Sequence, residues 1–90
     1  MTVVWLPRAI QQLLGVIDFI SEDNPQAAIE LAQTIRTKGG ALSAHLNRYR
    51  TGRIAGTREM VVEPNYIVVY RVMPDEVQVL RVRHARRLDH

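Results

Sequence analysis

The residues with the greatest chemical reach are arginines, and they collect in the last third of the chain. Between positions 52 and 87 stand Arg53, Arg58, Arg71, Arg81, Arg83, Arg86 and Arg87, with His84 among them. A guanidinium group stays charged and presents a planar fork of donors, so a cluster of them holds phosphate or carboxylate. Histidine adds a group that exchanges a proton near neutral pH. Together these types suit phosphate binding or phosphate chemistry. Cleaving RNA through its own 2′-hydroxyl needs a base for that proton, a cation for the equatorial oxygens and an acid for the leaving oxygen. Arg58 with Arg81, Arg86 or Arg87 is the candidate for the developing charge. His84 is the candidate for proton transfer, with Glu59 a second choice. Plainer roles exist for both residues. His84 can be a strand-end histidine hydrogen-bonded for shape, and Arg58 can pair with Glu59, Glu63 or Asp75. Basic residues outnumber those acids in the stretch, which favours anion recognition.

Other chemistries lack their residues. The chain has no cysteine, which excludes thiolate nucleophiles, thiolate metal sites and disulfides. His45, His84 and His90 are scattered without metal-ligand spacing, so no metal or cofactor is expected. Ser21 and Ser43 stand in no nucleophile motif.

Three apolar runs rich in Val, Ile and Tyr carry the arginines: 57–63, 66–72 and 77–84. Pro64 and Asn65 separate the first two, and residues 73–76 (Met-Pro-Asp-Glu) separate the second from the third. This is the pattern of an antiparallel meander. Arg58, Met60 and Val62 share one face of the first strand. On the last strand Gln78, Leu80, Val82 and His84 alternate with Val77, Val79, Arg81 and Arg83, and neither row is cleanly apolar. Tyr66 and Tyr70 share a face, where they either stack on a base or fill a core. The connection 47–56, NRYRTGRIAG, reads as a polar turn.

The elements that position this meander lie upstream. Residues 2–5 form a short strand candidate. Pro7 then opens a helix in which Ala9, Leu13, Val16 and Ile20 recur at helical spacing, flanked by Ile10, Leu14 and Ile17. The stripe is wider than a solvent-facing helix needs. Gly15, in mid-stripe, is expected to mark a close approach to the next helix. Asn24 and Pro25 cap and start that second helix, whose inner face is Ala28, Ile29, Leu31, Ala32 and Ile35. Gly39 and Gly40 weaken it, and a short helical turn follows near Leu42. The order β-α-α-β-β-β predicts one α+β domain spanning 1–90, in which the helix pair buries its stripes against each other or against the sheet.

Ninety residues support one thin core. No apolar run reaches the roughly 18 residues of a membrane span and no signal-peptide pattern opens the chain, so a cytoplasmic protein is expected. The net charge of +3 is divided: residues 1–35 carry −3 and residues 36–90 carry +6. An anionic partner is therefore expected for the C-terminal part.

Motifs across nearly the whole chain resemble one family. Trp5-x-x-x-Ala9 and DFISEDNPQAA at 18–28 open it; Gly52-Arg53 and GTRE at 56–59 follow, then NYIVVYRV at 65–72 and VQVLRVRHARR at 77–87. In this order they are similar to the RelE/ParE superfamily of bacterial type II toxins, nearer its ParE, or plasmid-stabilisation, branch. The resemblance implies two N-terminal helices packed on a small, largely antiparallel four-stranded sheet, and a toxin neutralised by a cognate antitoxin, the pair repressing its own operon through the antitoxin's DNA-binding end. It implies inhibition of DNA gyrase for ParE-like members and ribosome-dependent mRNA cleavage for RelE-like ones, with an inactive antitoxin-binding member as a third possibility. Antitoxin contact would fall on Leu13, Leu14, Ile17 and Ile20. Target contact would fall on Arg53, Arg58, Arg81, Arg83, Arg86 and Arg87. If the chain were a nuclease, Arg58, His84, Arg81 and Arg86 would be catalytic. The lysine cluster and late tyrosine of ribosome-dependent members are missing, since Lys38 is the only lysine and no tyrosine follows Tyr70. That weighs toward gyrase.

Overall fold

Proline and asparagine punctuate the first half where the sequence places them. The computed structural model describes residues 1–62 and 65–85. Strand β1 (Thr2–Trp5) leads into helix α1 (Pro7–Asp23), with Pro7 in the first turn, where its missing N–H is not needed. The Leu6 N–H donates to the carbonyl of Val79 and so ties the strand-to-helix corner to the sheet. Helix α2 (Pro25–Gly40) starts under an Asn24 cap, whose side-chain oxygen accepts the Ala27 N–H at 3.1 Å. A 3-10 turn, Leu42–Ala44, follows.

The sheet comprises β1, β2 (Arg50–Thr51), β3 (Thr57–Val62), β4 (Tyr66–Val72) and β5 (Glu76–His84), in the spatial order β1-β5-β4-β3-β2. β1 runs parallel to β5, and every other pair is antiparallel. Four strands were expected, and the fifth is β2, inside the run read as a turn. It is two residues long with no apolar periodicity. What holds it is a cross-strand pair, Arg50 opposite Glu59. Gly56 closes the β2–β3 connection at φ +83°, a conformation that side-chain-bearing residues rarely adopt.

Both helices cover one face of the sheet. Ala9, Leu31, Ile35 and Leu42 meet Met60, Val62, Val68, Tyr70, Val77, Val79 and Val82 in a single core, with Leu13, Val16 and Ile20 packed at its margin. Tyr66 and Tyr70 belong to this core, not to an exposed stacking surface. The mixed face pattern of the last strand has a physical cause. Val69 pairs with Arg81 but Tyr70 pairs with Val79, so Leu80 is an extra residue in a bulge. One inserted residue flips the alternation. Val77, Val79, Val82 and His84 therefore share the helix side, and Gln78, Arg81 and Arg83 the opposite side.

Two glycines behave differently from expectation. Gly15 does not pack on α2, because a β-carbon placed there meets no atom within 4 Å. The close approach is at Gly39, where such a carbon would lie 3.2 Å from the Trp5 ring. Among the described residues no helix is long and apolar enough to cross a membrane.

Candidate functional site

The arginines of the sheet divide between its two faces. On the helix-free face Glu59 is the hinge of a buried cluster. Its carboxylate accepts from Arg50 Nε at 3.0 Å and from Arg83 Nη2 at 3.2 Å. Burial would raise its pKa, but the charges and hydrogen bonds of Arg83 and Arg50 outweigh that and hold it below the ordinary carboxylate value. Arg83, expected to meet a target, is 6% exposed and engaged with Glu59. Its role is inside the fold. Its Nε makes no hydrogen bond among the described residues.

Arg53 and Arg81 stand on the same face beyond that cluster and line one cleft of about 210 Å³. Arg8 from the start of α1 joins them, and Ile54, Thr57, Glu59, Val69 and Leu80 complete the lining. Three elements converge here: the α1 start, the β2–β3 turn and the β5 bulge. Arg8 escaped sequence reasoning because it is the lone basic residue of an acidic N-terminal stretch. The parallel pairing of β1 with β5 carries it to the sheet.

Arg58 faces the other way. Its Nη1 donates to the Tyr49 carbonyl at 2.7 Å, tying β3 to the segment before β2. Beside it the Tyr70 hydroxyl donates to the Leu46 carbonyl at 3.0 Å, and the Tyr49 and Tyr70 rings meet edge-on with centroids 6.4 Å apart. Burial raises the Tyr70 pKa, Arg58 opposes the rise and Tyr49 adds to it.

His84 shares that face but lies at its far end, edge-on to Tyr66 at 5.4 Å. Arg58 pairs across to Tyr70 and His84 to Tyr66. Four residues of strand separate the two rows, roughly 13 Å at the usual rise. Arg58, Arg81 and His84 are thus not brought to one point. Arg86 and Arg87 lie outside the described residues.

A second cleft, of about 440 Å³, runs between α1 and β5 and is lined by Gln12, Gly15, Val16, Phe19, Tyr66, Val82, Arg83 and His84. Gln12 reaches across to accept the Val82 N–H at 2.8 Å, satisfying the β5 edge where β1 has ended. The four residues expected to meet an antitoxin separate here. Leu13 and Ile20 pack on the core, Ile17 is half-buried, and Leu14 is 55% exposed. Sequence reasoning passed over Phe19, 65% exposed at the cleft, and Gln12 beside it. Both sit on the groove flank of the core stripe, whereas Ile10, Leu14 and Ile17 form the opposite flank.

Comparison with known proteins places this geometry. Residues 3–89 match the family model described as ParE toxin of type II toxin-antitoxin system, parDE. The chain is 37% identical over 86 residues to Toxin RelE2 of Caulobacter vibrioides, covering 96% of this chain and 97% of that protein. In fold it is similar to a chain of the chromosomal ParDE TA system from P. aeruginosa, with TM-score 0.82, 23% identity, and 93% and 95% of the two chains covered. A conserved hypothetical protein from Helicobacter pylori, known from its solution structure, has TM-score 0.63 at 18% identity with 99% of both chains covered. The two-helix start, the mostly antiparallel sheet and these matches together make the chain a member of the RelE/ParE superfamily, the toxin component of a type II toxin–antitoxin system on the ParE side of that family.

Proposed function

We propose that this toxin acts in the cytoplasm on DNA gyrase, blocking replication, and that a cognate antitoxin neutralises it by lying along α1. One observation carries the choice of gyrase over RNA. Of the groups a nuclease would use, the three among the described residues, Arg58, Arg81 and His84, are spread over two faces and both ends of the sheet, and Arg86 lies outside those residues. Proton transfer and charge stabilisation at one phosphate need those groups within hydrogen-bond reach of one site. Arg58 is instead engaged with a backbone carbonyl. A protein that acts by binding makes no such demand. Family membership supports the same reading. RNA cleavage stays as the second reading because a relative carries the name RelE2.

The antitoxin contact is argued from α1. Phe19 and Leu14 are exposed on either side of a helix whose central stripe packs on the core, and a cleft runs along the Phe19 side. An apolar segment laid there covers surface that the free toxin leaves in water. Operator DNA would be met only through the antitoxin. Supercoiling by purified gyrase and cleavage of translated mRNA, both measured with the purified toxin, decide the target. Gyrase inhibition without cleavage is expected, and cleavage without inhibition overturns the reading. Leu14→Asp and Phe19→Asp are expected to keep growth arrest while losing antitoxin rescue. Full rescue of both variants would remove α1 from the interface.

A further inference from the structure

The cleft of Arg8, Arg53 and Arg81 is built from residues far apart in sequence, and each is held by a separate anchor. The turn carrying Arg53 is pinned by three bonds. Gly52 N–H donates to the Thr57 carbonyl at 2.8 Å, and Thr57 donates through its N–H at 3.1 Å and its hydroxyl at 2.6 Å to the Ile54 carbonyl. The helix start carrying Arg8 is pinned by the Leu6 bond to Val79. Arg81 follows the Leu80 bulge, which turns it to the helix-free face.

The charge balance of this face is one-sided. At the cleft the guanidinium groups of Arg8 and Arg53 stand beside the carboxylate of Glu59, which Arg50 and Arg83 already neutralise, while another carboxylate of the face, Glu76, lies apart beside Gln78 and Arg71. Neither Arg8 nor Arg53 has an acidic partner among the described residues. Converging cations repel one another, and an incoming anion relieves that repulsion.

We infer that this cleft binds an acidic side chain, a glutamate or aspartate presented by a partner protein. The carboxylate meets the guanidinium groups of Arg8 and Arg53, and the carbon stem lies on Ile54, Val69 and Leu80. The apolar lining decides against nucleic acid. A phosphate backbone carries no apolar stem to place there, and its binders arrange cations in a row at phosphate spacing. Here the cations line one small cleft, and of the residues that would continue a row Arg83 is buried and Arg50 is paired, both on the Glu59 carboxylate. The inference deepens the proposed action on a protein target and rests on it for the identity of the partner, but the binding chemistry is measurable without that target.

The probe is a fluorescent acetylated peptide of alternating Glu and Leu, compared with its Gln counterpart and with a single-stranded oligonucleotide of equal charge. The Glu peptide is expected to bind and to shift the Arg8 and Arg53 Nε–H resonances, and the Gln peptide is not. Arg8→Gln and Arg53→Gln should each weaken the Glu peptide about tenfold or more. Arg36→Gln, an exposed arginine of α2, should leave it unchanged. Neither cleft variant should lower the melting temperature, which a merely structural arginine would. Stronger binding of the oligonucleotide at the same resonances overturns the inference, as does unchanged peptide binding in both cleft variants. Gyrase assays with the same variants separate the two readings. Peptide binding lost with gyrase inhibition intact overturns the cleft as the target contact and leaves the gyrase reading standing. Absence of gyrase inhibition by the unaltered protein does the reverse.

Discussion

Alanine at Gly15 and alanine at Gly39 should act in opposite directions on stability, although both glycines lie within helices. Gly15 is mid-way along α1 and solvent-exposed, and a β-carbon there meets nothing within 4 Å. The substitution adds no clash and removes the backbone freedom that glycine brings to the unfolded chain. The gain is about 1 kcal/mol, which for a domain of this size raises the melting temperature by about 4–8 °C. At Gly39, buried in the last turn of α2, the added carbon lies 3.2 Å from Trp5 Cζ2 and 3.8 Å from Cε2. Trp5 is packed at the core margin opposite Val79 and lines a cleft of about 380 Å³, so the ring relieves the clash only by giving up core contact and turning toward that cleft. Overpacking of this kind costs about 1–3 kcal/mol and cancels or exceeds a propensity gain already reduced near the helix end. Circular dichroism melts read both effects. Trp5 is the only tryptophan, so its fluorescence separates the causes: the emission should change in Gly39→Ala and stay fixed in Gly15→Ala. The reasoning is refuted if Gly15→Ala melts no higher than the parent, or if Gly39→Ala gains as much. A more stable Gly15→Ala toxin that loses antitoxin affinity would further show that the cleft beside α1 needs the bare backbone there.

Acid should unfold the protein partly through Glu59. Its folded pKa is depressed, so its contribution is present above the ordinary carboxylate pKa of 4.5 and is lost as pH falls through that value toward the folded one. Urea midpoints between pH 7 and 3 should show this component, and Glu59→Gln should lack it. The two arginine partners should not be equivalent. Glu59→Ala strands the buried Arg83 and is expected to cost about 3–5 kcal/mol. Arg50→Gln removes a partner whose side chain is 58% exposed and should cost less than about 1 kcal/mol. If the Arg50 variant is the more damaged, the assignment of Arg83 as the structural partner is wrong. Tyr70→Phe should lose about 1 kcal/mol with the bond to Leu46. Because burial raises the Tyr70 pKa, its contribution is present below pH about 10 and lost above it, and the variant should show a shallower alkaline loss of stability.

What could be read from the chain follows the range of each signal. Helical spacing, the Asn24 cap and the proline starts are local, and α1 and α2 begin where those residues stand. The meander was equally legible, because Val-rich runs between turn residues need no distant partner to declare themselves. β2 was not, since two polar residues have no period and join the sheet by pairing with β3 across a turn, Arg50 with Glu59 and Thr51 with Arg58. The bulge at Leu80 was visible only as a symptom, the failure of either row on the last strand to be cleanly apolar. A bulge is fixed by the partner strand's register, which sequence spacing does not contain. That single inserted residue also governs the candidate sites. Without it Val82 and His84 would face away from the helices, and Arg81 and Arg83 would point into the core beside Val77 and Val79. With it, Arg83 reaches Glu59 and Arg81 joins Arg8 and Arg53 in the cleft. His84 closes against Tyr66 beneath α1. The sequence presents eight basic residues as one group. The backbone sorts those it positions: Arg83 into a buried brace, Arg53 and Arg81 into the cleft with Arg8, His84 into the wall of a groove, Arg58 onto the Tyr49 carbonyl and Arg71 onto Gln78.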